Sequence, residues 1–415
     1  MTRLIAIFLL AASVLSAAGD QSSIVNSFEM VWGTLRDHYW DPTMAGLNWQ
    51  KLHDQYLTKV KAAANVEEAR KPIGEMIHKL PSSHLALIPA EAYGPMDSSE
   101  PSPKELHKPF AGPGSTGITI TPIDRKIVVE FSENSDVHPG WIIESIDGDN
   151  VQRLIKLAGE ATALIPEIVA AWLSGPIGSS AHIVFIKGDG TKTALDIPRR
   201  APPGKIVSFS NLPPERVIAE HRQLPGGVGY IRLNIFLDPV SVMPEMEQAI
   251  TDLRSTPGIV LDLRGNPGGM GVMAMGIAGW FVSDEGQILG TMLGRRSKEQ
   301  FEINPRVEPY TGKLAILVDG GSASTSEILA QGLKDLGRAR VFGSRSAGEA
   351  LVSELIELPD GDRFQYPEAN YTSFKGRILE GNGVEPDVVA PPTIAALLAG
   401  HDRALESAIS WITGK

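Results

Sequence analysis

Apolar residues follow three successive patterns along the chain: a helical beginning, a β-rich middle and an alternating second half. Near the N-terminus, four apolar residues recur at i, i+3, i+4 and i+7, the spacing of an amphipathic helix: Phe28, Val31, Trp32 and Leu35. Asp41-Pro42 ends this helix, and residues 49–64 and 67–80 predict two more. We therefore expect a helical domain over residues 22–90. A linker rich in Pro, Ser and Gly follows over residues 91–113.

At Gly114 the pattern changes to short alternating or β-branched runs, which are typical of strands. Such runs cover residues 117–120, 126–131, 140–148 and 182–187, with a helical run over residues 161–173. Strands arranged around a helix predict a small β-rich domain over residues 114–202.

In the second half of the chain, apolar strands alternate with helical runs. The strands are predicted over residues 228–236, 258–263 and 314–318, and the helices over residues 240–254, 270–281 and 325–336. Strand, crossover helix and strand in succession predict a mostly parallel sheet, so residues 203–415 form an α/β domain. Residues 393–412 predict a last amphipathic helix.

Charge and cysteine content exclude several classes of function. The 415 residues carry a formal net charge of −11, which argues against nucleic-acid binding because phosphates require surfaces rich in Lys and Arg. The chain has no cysteine, so disulfides, thiolate chemistry and a lipid-bearing cysteine are excluded. No cluster of residues with metal-ligand spacing and no Walker lysine pattern occurs, so no cofactor is predicted.

The N-terminus has the order of a secretory signal peptide. Arg3 precedes an apolar run from Leu4 to Leu15, and small residues, Ser16-Ala17-Ala18, follow as a cleavage site. The run is shorter than the roughly 20 apolar residues that span a bilayer. We expect residues 1–18 to be removed and the mature protein to lie outside the cytoplasm, in a bacterial periplasm, without a stable membrane anchor.

Two segments of the α/β domain carry candidate chemistry. Residues 259–269, IVLDLRGNPGG, take a strand into a glycine-rich turn, and residues 316–328, ILVDGGSASTSEI, take another strand through three serines into a helix. The first is consistent with a tight connection or with backbone amides that face a ligand. In the second, Ser324 with Glu327 fits a capping box, but a hydroxyl at a helix N-terminus also suits a nucleophile. Position alone leaves both pairs of alternatives open.

Several motifs in order resemble the C-terminal-processing (tail-specific) serine peptidases and their tricorn-core relatives. They are VWGTLRDHYWDP, LDLRGNPGG, GSASTSEI, GRARVFG, LPDG and GVEPD, and they extend over essentially the whole mature chain. The resemblance implies an α/β fold with a ClpP/crotonase-like βα catalytic core, an N-terminal helical domain and an inserted PDZ-like β-rich domain. It also implies that Ser324 is the nucleophile and that the amides of Gly269 and Thr325 form the oxyanion hole.

The group that activates the serine departs from the usual pattern of that family. Most C-terminal-processing peptidases use a lysine after the serine, but Glu349 stands at that position here. The tricorn-core branch uses a histidine that follows a serine. By resemblance, His84 is the general base, and Ser83 and Glu380 support it in a tetrad with Ser324. We expect the side chain of Glu349 to be solvated or ion-paired.

The β-rich domain resembles a PDZ domain, although Gly140-Trp141 replaces the usual Gly-Asp pair. The resemblance implies recognition of peptide C-termini by strand addition. The carboxylate would be bound near Ser115, Thr116, Gly117 and Ile118, where we expect free backbone amides. The alternative is a β-domain that serves only as a spacer.

The sequence therefore predicts an exported serine endopeptidase that cleaves peptides or proteins through an acyl-enzyme. The alternative from another class is a non-catalytic lipid carrier on the same scaffold, similar to the interphotoreceptor retinoid-binding proteins. The joint presence of Ser324, His84 and the Gly269 turn favours the enzyme, because a binding protein does not need all three.

Overall fold

The computed structural model describes residues 4–90, 113–157, 165–207 and 215–415. The first of these ranges is mainly helical. It contains helix α1 (Leu4–His38), a 3-10 turn (Met44–Gly46), α2 (Trp49–Lys61), α3 (Val66–Ile77) and the short strand β1 (Ala86–Ile88). Side chains of Asn48 and Asn65 cap α2 and α3 by accepting hydrogen bonds from first-turn amides. The predicted linker lies outside the described residues, apart from residue 113.

Residues 113–200 form a separate antiparallel sheet with two helices. The elements are β2 (Ile118–Ile123), β3 (Lys126–Ser132), β4 (Ile142–Ile146), β5 (Asp149–Asn150), α4 (Val151–Leu157), α5 (Ile165–Leu173), β6 (Ser180–Ile186) and β7 (Lys192–Pro198). The strand order is β2-β3-β4-β6-β7, with β5 beside β4. Alternate residues of these strands, among them Ile127, Val129, Ile183 and Phe185, are fully buried in a core of their own. We call residues 113–200 the β-rich module.

The remaining chain contains a six-stranded sheet with the order β10-β11-β12-β15-β16-β19. A small hairpin, β8 (Lys205–Val207) with β9 (Glu215–Val217), precedes it. The strands of the six-stranded sheet are β10 (Ala219–Gln223), β11 (Gly229–Leu233), β12 (Gly258–Asp262), β15 (Lys313–Val318), β16 (Arg340–Gly343) and β19 (Val388–Val389). All pairings from β11 to β19 are parallel, and only β10 runs antiparallel to its neighbour. The predicted parallel sheet is therefore present.

Helices cover this parallel sheet and bury its apolar strands. They are α6 (Pro239–Leu253), α7 (Gly271–Ala278), α8 (Thr325–Asp335), α9 (Ile394–Leu398) and α10 (Arg403–Thr413). Every residue of β12 and all but the first residue of β15 are buried, as expected for strands with both faces covered. Because β12 and β15 are parallel neighbours, the two candidate motifs leave the same edge of the sheet.

A second, antiparallel sheet joins the helical beginning to the rest of the molecule. It has the order β1-β18-β13-β14, with β17 also paired to β18. Its strands from the second half are β13 (Ile288–Gly294), β14 (Lys298–Glu302), β17 (Val352–Glu357) and β18 (Arg363–Ser373). The sequence reading did not predict this sheet.

Two contacts hold the helical beginning to β18. Strand β1 pairs with the first residues of β18, with Ala86 opposite Gln365 and Ile88 opposite Arg363. Beside this pairing, the guanidinium of Arg70 donates two hydrogen bonds of 2.7 Å to the carboxylate of Asp362, which is 1% exposed. The helical segment is thus packed onto the α/β part rather than separated from it.

One predicted helix is divided in the structure. The sequence predicts a single helix over residues 393–412, but α9 ends at Leu398 and α10 begins at Arg403. Gly400 has a φ of 78°, which a helix does not accept, and the side chain of Asp402 caps α10 by accepting from the amide of Leu405. The prediction of one continuous helix was therefore wrong.

Helix α1 begins at Leu4 and includes most of the segment that the sequence predicts to be a signal peptide. In the part of the chain that the structure describes, no helix has the length and apolar character needed to cross a membrane.

Candidate active site

The glycine-rich turn after β12 and the serine-rich turn after β15 lie directly against each other. A Cβ atom on Gly268 would lie 2.7 Å from the Cβ of Ser324 and 2.9 Å from the amide nitrogen of Thr325. Neither distance is possible for a side chain, so only glycine allows this approach. The turn is held from its other side by Phe236, which exchanges hydrogen bonds with Gly268 and Met270.

The three serines of the second turn have different surroundings. Ser322 is fully buried and donates to the carbonyl of Leu263, and Ser326 is fully buried and donates to the carbonyl of Asn266. Both hydroxyls thus brace the serine turn against the glycine-rich turn. Ser324 lies between them and is the remaining hydroxyl of the three.

Ser324 has an unusual backbone conformation, with a φ of 54° and a ψ of −116°. Non-glycine residues with positive φ are strained and occur where the surroundings enforce them, often at functional sites. Here the amide of Ser324 donates to the carbonyl of Glu349 at 2.8 Å and to Oε2 of Glu327 at 3.0 Å. Ser324 therefore does stand at the N-cap of α8, as the capping-box interpretation predicts, but in a strained conformation that an ordinary cap does not need.

Two backbone amides beside Ser324 are available to a ligand. Within the described residues, neither the amide of Gly269 nor that of Thr325 donates a hydrogen bond. The hydroxyl of Thr325 donates to the carbonyl of Gly269 at 2.8 Å and so restrains the residue that carries one of these amides. The pair has the character of an anion site at the start of α8.

The serine–histidine pair at the end of the helical segment is bound to a glutamate from the far end of the chain. Glu380 accepts from the amide of Ser83 at 2.8 Å and from its hydroxyl at 2.9 Å. The Ser83 hydroxyl in turn lies 2.7 Å from Nδ1 of His84. The structure thus brings Ser83, His84 and Glu380 together.

These contacts assign the histidine tautomer. The single hydroxyl proton of Ser83 is donated to Glu380, so the Ser83 oxygen can only accept from His84. Nδ1 then carries the proton, and Nε2 has a free lone pair that can accept one. Burial lowers the pKa of His84 to about 4, so this lone pair is available at neutral pH.

A short series of hydrogen bonds joins the histidine segment to Ser324. The amide of Ala350 donates to Oε2 of Glu380 at 3.1 Å, while the carbonyl of the preceding residue, Glu349, accepts from the amide of Ser324. The Glu349–Ala350 pair therefore contacts the serine turn on one side and the Ser83–Glu380 pair on the other.

Sequence reasoning missed Tyr39 and Ser82, which lie next to this cluster. The hydroxyls of Tyr39 and Ser82 are hydrogen-bonded to each other. Tyr39 is 1% exposed, and burial raises the pKa of its hydroxyl. Tyr39 lies within the motif VWGTLRDHYWDP, but nothing in that motif indicates that the Tyr39 hydroxyl contacts Ser82.

By the resemblance, Glu349 stands where most C-terminal-processing peptidases have a lysine. The backbone of Glu349 forms two hydrogen bonds beside Ser324. Its carbonyl accepts from Ser324, and its amide donates to Oε2 of Glu327 at 2.9 Å. The side chain is partly buried, and the expectation that it is solvated or ion-paired stays a prediction.

In the β-rich module, two of the amides that were expected to be free to bind a substrate carboxylate are already hydrogen-bonded. Ser115 donates to the carbonyl of Arg200, and Gly117 donates to the hydroxyl of Ser115, so neither amide is free. Thr116 is 5% exposed, and its hydroxyl has no hydrogen-bond partner among the residues that the structure describes. Ile118 is the first residue of β2 and pairs with β3. The prediction of free amides at Ser115 and Gly117 was wrong, because the segment closes the sheet onto the end of β7.

Comparison with known proteins identifies the family. The sequence pattern of Peptidase family S41 matches residues 227–390, and that of the Tricorn protease C1 domain matches residues 24–78. A carboxy-terminal-processing protease of Bartonella bacilliformis is 31% identical over 96% of this chain and 85% of its own length. The chain belongs to the carboxyl-terminal-processing peptidase family. A carboxyl-terminal-processing protease of a Synechocystis strain is 28% identical over 97% of this chain and 89% of its own length.

Solved structures agree with the fold expected for the carboxyl-terminal-processing family. Mature CPAF superposes with a TM-score of 0.63 at 13% identity and covers 95% of this chain and 96% of its own. The photosystem II D1 C-terminal processing protease superposes with a TM-score of 0.57 at 22% identity over 91% of this chain and 97% of its own. The predicted α/β fold is confirmed. Membership of this family makes the chain a serine-type peptidase with peptide or protein substrates, and the retinoid-carrier alternative is not favoured.

Proposed function

We propose that the chain is an exported serine endopeptidase that recognises substrate C-termini. In this proposal Ser324 is the nucleophile, His84 is the general base and acid, Ser83 and Glu380 orient the imidazole, and the amides of Gly269 and Thr325 bind the oxyanion. The observation that carries it is the Glu380 carboxylate, which holds Ser83 and, through Ala350, the segment that contacts Ser324. These bonds connect the His84 segment of the helical beginning to the serine turn of the α/β part.

The proposed chemistry follows from the tautomer. Nε2 of His84 takes the Ser324 proton as the serine oxygen bonds to the scissile carbonyl carbon, and the carbonyl π electrons move to the oxygen. The resulting oxyanion is bound by the two amides. Collapse of this intermediate breaks the C–N bond, and the imidazolium gives its proton to the leaving amine. Water then repeats the sequence on the acyl-enzyme, releasing the new C-terminus and the serine.

The environment of His84 supports this role. Nδ1–H donates to Ser83, whose hydroxyl donates to the Glu380 carboxylate, so a positive charge on the ring is stabilised through one intervening hydroxyl. No lysine is needed for the step. The substitution of the family's lysine by Glu349 fits this arrangement, because the tetrad supplies its own base.

A fluorophosphonate probe, which reacts with activated serines, tests the assignment. We expect labelling and peptide hydrolysis to vanish in Ser324→Ala and to fall by about 100- to 10,000-fold in His84→Ala, since general acid–base catalysis contributes that much. His401→Ala is a matched control, because His401 is exposed and ion-paired to Glu406. Labelling that persists unchanged in His84→Ala would mean that another group activates the serine.

The β-rich module is the proposed site of C-terminal recognition. Strand β2 is at the edge of its sheet, and α5 packs against it, so an extended peptide has a sheet edge and a helix side to bind between. We expect a peptide with a free C-terminus to be cleaved faster than its amidated form. Equal rates for the two would refute this part of the proposal and would favour the spacer alternative.

Export is proposed from the signal-peptide pattern at residues 1–18. We expect the mature chain to begin at Gly19 and to occur in the periplasm of a bacterial host. Mass determination of the N-terminus in fractionated cells measures this. A chain that retains residues 1–18 in the cytoplasm would contradict it.

A further inference from the structure

Glu327 is a buried carboxylate that the proposed chemistry does not use. It lies in the first turn of α8, three residues after Ser324, and is fully buried. Across the described ranges, no lysine or arginine forms an ion pair with it. A buried charge without a cation is costly unless hydrogen-bond donors surround it.

Four donors surround it, two on each oxygen. Oε2 accepts from the amides of Ser324 and Glu349 at 3.0 and 2.9 Å. Oε1 accepts from the amide of Gly348 at 2.8 Å and from the hydroxyl of Ser346 at 2.5 Å. The N-terminus of α8 adds a favourable dipole. All four acceptor positions of an ionised carboxylate are filled.

These donors come from the segments that carry the proposed catalytic groups. Ser324 is the nucleophile, and residues 346–349 form the loop that bonds to Ser324 and, through Ala350, to Glu380. The Ser346 hydroxyl also accepts from the amide of Val384 at 2.6 Å, beyond the turn that holds Glu380. Glu327 is therefore bonded both to Ser324 and to the loop whose next residue, Ala350, contacts Glu380.

We propose that Glu327 is a positioning residue, whose ionised carboxylate fixes the distance and orientation of the Ser324 hydroxyl relative to the His84 imidazole. The proposal rests on the proposed function of those two residues. The strained φ of Ser324 requires a fixed partner for its amide, and Glu327 provides one of the two acceptors. The same carboxylate accepts from Ser346, Gly348 and Glu349 and so holds this loop against the start of α8.

Glu327→Gln is the direct test, because glutamine has the same shape but presents an NH₂ group where one oxygen was. In either orientation of the amide, two of the four donors would face another donor. A misplacement of about 1 Å at a reacting group lowers rates by about 100-fold. We expect kcat per active site to fall on the order of 100-fold, with KM little changed, and the fluorophosphonate labelling rate to fall in parallel. Glu406→Gln, a first-turn glutamate of α10 on the surface, is the matched control.

Counting active sites separates positioning from folding. Exhaustive fluorophosphonate labelling gives the fraction of folded sites, and kcat is divided by that fraction. A merely structural glutamate would reduce the number of sites but leave kcat per site as in the wild type, and this result would overturn the proposal. If Ser324→Ala is inactive while Glu327→Gln keeps the wild-type kcat, only the positioning role fails. Undiminished hydrolysis by Ser324→Ala would instead refute the proposed function.

Ser346→Ala provides a second, milder variant in case Glu327→Gln does not fold. It removes one donor to Oε1 and the bond from Val384, and leaves the carboxylate in place. We expect kcat per site to fall by about 10-fold, since one charge-assisted hydrogen bond is lost. Ser407→Ala, a surface serine of α10, serves as its control. A Ser346→Ala enzyme with the wild-type kcat would overturn the proposal on its own.

Discussion

At the scale of single residues, the protonation state of His84 decides whether the proposed general base can accept a proton at neutral pH. Burial lowers the pKa of His84 to about 4, against about 6.5 for an exposed histidine. The imidazole is therefore neutral from about pH 5 upward. The unfolded chain binds this proton near pH 6.5 and the folded chain does not, so His84 destabilises the fold progressively as pH falls from 6.5 toward 4.

NMR titration of the imidazole in the Ser324→Ala protein measures this pKa directly. We expect the His84 resonance to titrate near pH 4. A His84 midpoint near 6.5 would mean that the ring is solvated and that the tetrad is not formed in the free protein.

A second prediction at this scale concerns the oxyanion amides. The Thr325 hydroxyl donates to the carbonyl of Gly269 and so restrains the residue whose own amide is part of the proposed oxyanion hole. Thr325→Val keeps the shape and the amide but removes this bond. We expect kcat to fall by about 10-fold, less than the 100- to 1,000-fold lost when a donor itself is removed. Thr325→Ser retains the hydroxyl and should keep most of the activity. Wild-type kcat in both variants would show that the bond has no part in catalysis.

At the scale of elements, the position of the histidine depends on how the helical beginning is attached. The Arg70–Asp362 pair is largely buried, and Asp362 also accepts from the amide of Ala90, just after β1. Removal of one partner of a buried pair typically costs about 3–5 kcal/mol. We expect Arg70→Leu to lower the free energy of unfolding by about 3 kcal/mol and to increase hydrogen exchange in residues 82–90.

Glu75 of the same helix provides the control for this prediction. Its ion pair with Lys59 is exposed on both sides, and such pairs contribute little to stability because solvent screens them. Glu75→Gln should therefore leave both stability and exchange nearly unchanged. Equal effects of the two substitutions on residues 82–90 would contradict a specific role for Arg70 in holding the His84 segment.

The elements also show what periodicity can and cannot predict. The strands that became β12 and β15 are continuous apolar runs closed by glycines and serines, so both were predicted with their turns. Strand β18 was missed because Pro367 interrupts its run and because two of its partners, β1 and β13, are far away in sequence. Long-range antiparallel pairing leaves little local signal.

The residues of the candidate site also differ in how far the local sequence could predict them. Ser324 and Gly269 lie in motifs whose local sequence already indicates a strand-to-helix turn. His84, Ser83 and Glu380 were predicted by resemblance, since nothing local relates a Ser-His pair to a glutamate 297 residues after Ser83. Glu327 was interpreted as a helix cap. That interpretation described its bond to Ser324 but could not include the three donors from the loop at residues 346–349.

At the scale of the whole molecule, the β-rich module is docked on the α/β part beside the glycine-rich turn. Gly140 and Gly188 of the module lie so close to Leu398 of α9 that a Cβ on either would come within 3 Å of its side chain. Glu130 of β3 lies near Arg264, which pairs with Asp262 and Asp402. Burial raises the pKa of Glu130 to about 7, and the nearby Arg264 opposes this rise only in part.

The raised pKa predicts how docking responds to pH. The unfolded chain loses the Glu130 proton near pH 4.5 and the folded chain near pH 7, so stability is lost as pH rises through this window. Glu130→Gln stays neutral and should be more stable than the wild type by about 1–3 kcal/mol at pH 8, but not at pH 4.5. Urea unfolding at the two pH values measures the difference. Glu133→Gln, at the exposed end of the same hairpin, is the surface control for the loss of a carboxylate. A Glu130→Gln difference that is the same at both pH values would mean that the carboxyl is solvated, and hence that the module in solution does not stay docked where the structure places it.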